Sequence, residues 1–305
     1  MTQIVESDLP ARVGILPYEL RHEKSLSAIT LNQLIWPKQT SECVFSDQDK
    51  VSDLSPNDYI IVYPSSTRLI RPFGKLKCKV VLMMAEPLAI QLRYYRLIWL
   101  FRKKFSYVLC RYGRYSKPYT NVIQFPVVES WVHGNSIQLP IVKTHLCSII
   151  ASAKKDLEGH LFRHRMVDWL NAKKIAEVDV LGRGYNPFED KKDGLLRYKY
   201  SIVIENVREP DYFTEKLLDC FLCGTIPIYW GAPNIGDYFD LKGIIVCETK
   251  EQVQKIIEVL LLGNACESSH IDTSAIEKNR LKALGYANLP ARVAGFFNNK
   301  MTQSI

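Results

Sequence analysis

The 305-residue sequence has no run of 18 or more uncharged apolar residues, which excludes a membrane-spanning helix within it. The opening stretch from Met1 to Gly14 has neither a basic segment nor an apolar one behind it, so no export signal is expected. No Asn-x-Ser/Thr acceptor occurs, in keeping with a cytosolic life. Internal repeats and low-complexity tracts are also missing, which argues against a solenoid or a long disordered segment. Acid is scarce in one long stretch. Between Asp58 and Glu129 stand thirteen lysines and arginines and a single carboxylate, Glu86.

What is present is ordinary for a globular chain, 47% hydrophobic and 24% charged, and long enough for two domains with a core each. The formal net charge of +8 suits an anionic partner: a sugar nucleotide, a phospholipid surface or a nucleic acid. The eight cysteines are scattered through apolar runs and read as reduced, buried thiols. Cys220 and Cys223 form a CxxC late in an apolar helix, and no second pair completes a metal site, so core packing accounts for them.

Short runs rich in β-branched residues predict strands at Arg12 to Leu16, Cys43 to Ser46, Tyr59 to Tyr63, Lys79 to Met84, Ser106 to Cys110 and Val122 to Phe125. Periodicity fades between Pro126 and Pro140, and a domain junction is expected near Pro140. The second half opens with a strand at Leu146 to Ala151, a basic loop through Lys154 and Lys155, and a helix from about Leu157 to Leu170. Later come a strand at Ile244 to Cys247 and helices near Gln252 to Leu262 and Ser274 to Leu284. The alternation is α/β.

The run from Tyr198 to Gly231 carries the most information. Tyr200 to Ile204 reads as a buried strand, and Thr214 as the N-cap of a helix that buries Leu217, Leu218, Phe221 and Leu222 and stops at Gly224. Ile226 to Trp230 is the next strand, with Pro227 tolerable near its start. The unit is βαβ, so its strands are expected to be parallel. Lys216 stands in the first turn of the helix, where the macrodipole disfavours a cation by roughly 0.3–1 kcal/mol unless an anion offsets it. A phosphate would fit that position; a solvated surface lysine is the bland alternative.

Three blocks in this run, Glu205-Asn206, Tyr212-Phe213-Thr214-Glu215-Lys216 and Thr225 to Gly231, closely resemble the signature of the family-ten glycosyltransferases, the alpha-1,3/1,4-fucosyltransferases. The resemblance extends upstream through Ser148 to Ser152, Arg163 to Leu170 and Gly182 to Asn186, about half the chain; the N-terminal part matches sparsely. It implies a GT-B architecture of two Rossmann-like domains with parallel sheets facing a central cleft. The domains would be an acceptor-binding domain over 1–140, a nucleotide-sugar domain over 141–290, and a tail over 291–305 packing back. It implies transfer of fucose from GDP-fucose, with inversion, to a hydroxyl of a glycan, α-1,3 to an N-acetylglucosamine or glucose unit. Lys216 and Arg163 resemble the family's diphosphate-binding cations, Glu215 its ribose-binding carboxylate and Tyr212 a further donor contact, with Glu205 and Asn206 in the same donor set. Arg163 and Lys216 would stabilise the departing GDP electrostatically and could replace a metal. No cofactor is expected to be required, although a divalent ion could stimulate.

Inverting transfer needs a base to take the acceptor's proton. Glu86 follows the apolar run Val80 to Ala85 at a strand's C-terminal end, and Glu86-Pro87 resembles the family's acidic motif, so Glu86 is the candidate catalytic residue; a carboxylate simply pairing with nearby cations is the alternative. Asp47 and Asp49 form a DxD in a polar segment away from the donor motifs and read as chance. His160 and His164 share a helix face but lack the glutamate of a zinc protease. Ile90 to Phe105 mixes aromatic and basic residues and fits either core packing with a basic outer face or contact with an anionic membrane. The expected partners are GDP-fucose and an oligosaccharide or glycolipid acceptor, with a peripheral membrane contact and no nucleic acid. The expected location is cytoplasmic, peripheral at the inner membrane face. Competing readings keep the fold with another nucleotide-diphosphate sugar, make the chain a non-catalytic glycan- or nucleotide-binding relative, or use the basic 68–117 region on nucleic acid.

Overall fold

The computed structural model describes residues 10–23, 25–37, 45–132, 137, 141–262 and 271–302. It divides into two compact units, 1–127 with 289–305, and 128–288. Pro140, where the sequence suggests a junction, lies outside the described residues. Cys43 and Val44 of the expected second strand do too, and Phe45 and Ser46 are in no strand.

The first unit contains β1 (Val13–Ile15), β2 (Tyr59–Val62), α1 (Ser66–Ile70), β3 (Lys79–Met84), α2 (Leu88–Phe101), β4 (Tyr107–Cys110), α3 (Gly113–Ser116) and β5 (Val122–Gln124). Its strands form one parallel sheet in the order β1-β2-β3-β4-β5. β2 is buried along its whole length, the pattern expected when both faces of a sheet are covered. One face packs Val13, Ile15, Tyr59, Ile61, Val81, Met83 and Leu109 against Leu289, Val293 and Phe297. Those last three recur every four residues along the C-terminal helix of the chain (Leu289–Thr302) and form its apolar stripe.

The second unit contains β6 (His145–Ile150), α4 (Glu158–Lys173), β7 (Val178–Leu181), β8 (Tyr198–Ile204), α5 (Glu215–Leu222), β9 (Ile226–Trp230), β10 (Ile245–Val246), α6 (Lys250–Leu261) and α7 (Thr273–Tyr286); the C-terminal helix Leu289–Thr302 is α8. Its sheet is again parallel, in the order β10-β9-β8-β6-β7. Side chains alternate across it. Tyr200, Ile202 and Ile204 of β8 pack with Phe162, Met166 and Leu170 of α4 and with α6, whereas Val203 and Tyr229 pack with α5 and Phe239 on the other face. β6 sits between β7 and β8, so the chain leaves it to one side and later returns on the other. That reversal makes the β6/β8 boundary a topological switch point, where the carboxyl ends of parallel strands leave a crevice for ligands.

Candidate functional site

At the carboxyl end of the second sheet the N-termini of α4 and α5 approach the loop after β8. The approach is very close at Gly159 in the first turn of α4. Its N–H donates to Asn206 O at 2.9 Å, and a Cβ there would lie 1.7 Å from Glu205 O. Gly182, at φ +108°, passes equally near the end of β6, where a Cβ would meet Ala151 O at 2.2 Å. Only glycine fits both contacts.

Thr214 caps α5 as its sequence suggests, accepting from the Lys216 N–H, and Gly224 ends the helix at φ +61°. Beneath the cap lies Glu205, fully buried. Its Oε1 accepts from the Thr214 N–H at 2.8 Å and its Oε2 from the Thr214 hydroxyl at 2.7 Å. Lys216 Nζ is 3.6 Å from Glu205 Oε2 and 3.3 Å from Glu215 Oε1. The anion that a first-turn lysine calls for is thus supplied within the chain, and the misplaced charge of Lys216 does not by itself require a ligand.

Arg163, two turns into α4, is buried. It donates to Ile204 O and, at 3.0 Å, to Asn206 Oδ1, so it clamps the end of β8. Burial pushes its guanidinium pKa down, against the opposing pull of Glu205, Tyr212 and Glu215. Tyr212 is buried one residue after Asp211, which is held at φ +63° by hydrogen bonds with Asn234 and Tyr238. Arg163, Glu205, Asn206, Tyr212, Glu215 and Lys216 therefore gather around the ends of β8 and α5. Glu205 and Asn206 enter the group by positioning the Thr214 cap and Arg163.

Lys191 was not among the residues singled out from sequence. Its Nζ is 2.7 Å from Asp219 Oδ2 and 3.7 Å from Glu215 Oε1, and it lies 4.6 Å from the Trp131 ring centroid. Asp219, fully buried on α5, also accepts from Ser130 Oγ at 2.7 Å and the Trp131 N–H at 3.1 Å. In the Lys191-Lys192-Asp193 context this lysine reads as solvated; only the fold delivers it to α5. Burial raises the Glu215 carboxyl, but Lys216 and Lys191 outweigh it and hold the pKa at about 2.

His160, in the first turn of α4, is buried, and its Nδ1 accepts from the Leu157 N–H at 3.3 Å. Its pKa is lowered by burial, then by Arg163, Lys154 and Lys216, against a pull from Asp156. The α4 N-terminus is consequently an electropositive corner. His164 instead contacts the Tyr185 hydroxyl at 2.6 Å and Lys154 O at 3.0 Å, so the two histidines do not share a ligand position. Asp47 accepts from the Asn32 amide and Asp49 from the Ser46 N–H, which spends the DxD on its own loop. Cys220 and Cys223 are buried free thiols among apolar side chains; burial pushes Cys223 up to about 12, far from a reactive thiolate. Among the described residues no three His, Cys, Asp or Glu side chains gather as a metal site.

Glu86 lies in the other unit, half-buried just past β3. The turn that carries it is pinned by buried side chains: Tyr95 Oη donates to Met84 O at 3.3 Å, Arg111 to Ala85 O at 3.0 Å, and Tyr112 Oη accepts from the Leu88 N–H at 3.2 Å. Burial, then the Glu86 carboxylate, pushes the Tyr18 phenol up. Tyr18 also meets Tyr63 edge-on at 5.1 Å. Glu86 thus stands at the carboxyl edge of the first sheet, near enough to Tyr18 to act on its phenol.

Residues 142–268 match the family model described as glycosyltransferase family 10 (fucosyltransferase) C-term. The alpha-(1,3)-fucosyltransferase FucT of Helicobacter pylori is 29% identical over 120 residues, 37% of this chain and 24% of that protein. The alpha-(1,3)-fucosyltransferase B of Drosophila melanogaster is 32% identical over 117 residues, 36% of this chain and 26% of its own. The chain thus spans about a quarter of the length of these curated relatives. A crystal structure of an alpha1,3-fucosyltransferase superposes with a TM-score of 0.54 at 16% identity, covering 99% of this chain and 93% of that one; a crystal structure of an alpha1,3-fucosyltransferase with GDP gives 0.51 at 16% with the same coverage. The likeness fixes the fold as GT-B, two parallel-sheet α/β domains. The match falls within the second compact unit, whose residues 142–268 are similar to the C-terminal domain of the glycosyltransferase family 10 fucosyltransferases.

Proposed function

We propose that the protein is a fucosyltransferase that moves fucose from GDP-fucose, with inversion, to a hydroxyl of a glycan acceptor. The observation that carries the reading is that Arg163, bonded to Asn206, and Lys216, beside Glu205, meet at the loop after β8, at the switch point of a domain that matches the family 10 model. In this reading Lys216 and Arg163 meet the diphosphate, Glu215 accepts from ribose hydroxyls, and Tyr212 flanks the donor. Glu205 and Asn206 hold that set in place. The cations offset the negative charge that grows on GDP as the glycosidic bond breaks, which is where fixed electrostatics lowers a barrier most. Glu86 takes the proton of the attacking hydroxyl. No divalent ion is required, and chelation would leave turnover intact. The acceptor is an oligosaccharide or glycolipid, α-1,3 to N-acetylglucosamine or glucose, and the enzyme works in the cytoplasm.

The test is GDP release from GDP-fucose with a panel of oligosaccharide acceptors. Glu86→Gln should abolish transfer while GDP still raises the melting temperature; undiminished turnover would reject Glu86 as the base. Lys216→Ala should lose the GDP-induced shift. A larger shift with another nucleotide-diphosphate sugar than with GDP-fucose would replace the donor and leave the fold assignment standing.

A further inference from the structure

The outer side of α2 breaks the rule that a helix hides its apolar side chains. Gln91, Tyr95 and Ile98 form its buried stripe, yet Trp99 is 57% exposed and Leu100 53%, with Leu92 and Leu97 also open to solvent. Ile70, at the end of α1, is 73% exposed. It belongs to the same corner, because Lys104, just past α2, donates to Leu69 O at 3.2 Å. Single exposed apolar residues are ordinary; several on one helix face mark a surface that another body covers.

The chemistry of that body follows from what stands between the apolar residues. Arg93 and Arg96 are exposed on the same side, and Arg102, Lys103 and Lys104 follow in sequence. Between Asp58 and Glu129 the chain has thirteen cations and one acid, and Glu86 lies at the opposite end of α2 from Trp99. A protein partner's apolar patch would be satisfied by the leucines and tryptophan alone. Apolar and basic side chains interleaved without acid instead match a layer that presents acyl chains beneath negative headgroups. Trp favours that boundary, and arginine can bury its stem while its head stays at the phosphates.

We propose that the outer face of α2, with Ile70 beside it, docks this protein onto an anionic bilayer. Trp99 and Leu100 enter the headgroup boundary, and Arg93, Arg96 and Lys103 meet lipid phosphates. The proposal goes beyond the transfer reading and stands without it, since it needs no donor or acceptor.

Co-sedimentation of the full chain with phosphatidylcholine vesicles, with and without phosphatidylglycerol, tests it. Partition should require phosphatidylglycerol and should weaken sharply between about 0.1 M and about 1 M salt, where the screening length falls from roughly 10 to 3 Å. Arg93→Gln with Arg96→Gln should lower it by about fivefold per arginine, in line with roughly 1 kcal/mol for each cation near the surface. Trp99→Glu with Leu100→Glu should abolish it. Both pairs are solvent-facing, and an unchanged far-UV spectrum and melting temperature would show that each variant is folded. The proposal fails if anionic vesicles do not bind the wild type, if neutral vesicles bind equally well, or if folded variants of both kinds still pellet. It fails equally if the protein is a dimer in solution that Trp99→Glu dissociates and lipid does not bind, because a second copy then covers the face.

Discussion

Glu205→Gln is the most informative single change in the second unit. The substitution preserves shape and removes charge from a carboxylate that is fully buried and spends both oxygens on Thr214. One glutamine oxygen can still accept from the Thr214 N–H. The amide nitrogen then faces the Thr214 hydroxyl, which must turn from donor to acceptor, and Lys216 loses one of its two carboxylates. A hydrogen bond to a charged group contributes about 1.5–3 kcal/mol, so a loss of about 2–3 kcal/mol is expected once the weakened ion pair is included. Urea unfolding of wild type, Glu205→Gln, Thr214→Val and the double variant closes a cycle, in which the coupling between the two side chains should be about 1.5–3 kcal/mol. GDP affinity should fall together with stability, because the cap sets where Lys216 stands. A coupling below about 0.5 kcal/mol, or wild-type GDP binding in a cap-disrupted variant, would refute the view that Glu205 holds the site together.

Glu215 should make stability depend on pH: its folded pKa of about 2 lies below the ordinary carboxyl value of 4.5, so its contribution is present above about pH 4.5 and drains as pH falls toward 2. Urea midpoints taken between pH 5 and pH 3 should therefore fall less steeply for Glu215→Gln than for wild type. Lys191→Met should destabilise by about 3–5 kcal/mol, since it leaves the buried Asp219 carboxylate without its cation, and Lys191→Met with Asp219→Asn should recover part of the loss. Gly159→Ala, whose Cβ would collide with backbone, should cost about 3 kcal/mol or more and abolish GDP binding. Gly295→Ala, with open space around it on α8, should instead raise stability by up to about 1 kcal/mol in thermal melts.

The βαβ unit was legible because three local signals agreed there: β-branched strands, an N-cap threonine and a glycine that reaches positive φ. β3 was readable to the residue, from Lys79 to Met84, because a strand covered on both faces has no choice but to be apolar. β7 was missed. Val178–Leu181 carries an aspartate in its middle, whose Oδ2 accepts from the Tyr198 hydroxyl at 2.8 Å, and no reading of four residues alone supplies that partner.

The same limit shaped the reading of charge. Lys216 drew attention because a cation opposes a helix dipole, yet the structure places Glu205 and Glu215 beside it, one eleven residues back across a loop and the other its sequence neighbour. Lys191 drew none, although its partner Asp219 is as fully buried as Glu205. Sequence periodicity reports which side chains avoid water, but an ion pair is a relation between two positions, and its partner is chosen by the sheet order. Here β8 lies between β6 and β9, which brings the loop after β8 against the N-termini of both α4 and α5. Arg163, Glu205 and Lys216 come from three separate segments and become one electrostatic unit only through that adjacency. A permutation that kept every strand and helix but placed β8 at the sheet edge would keep the motif and lose the site.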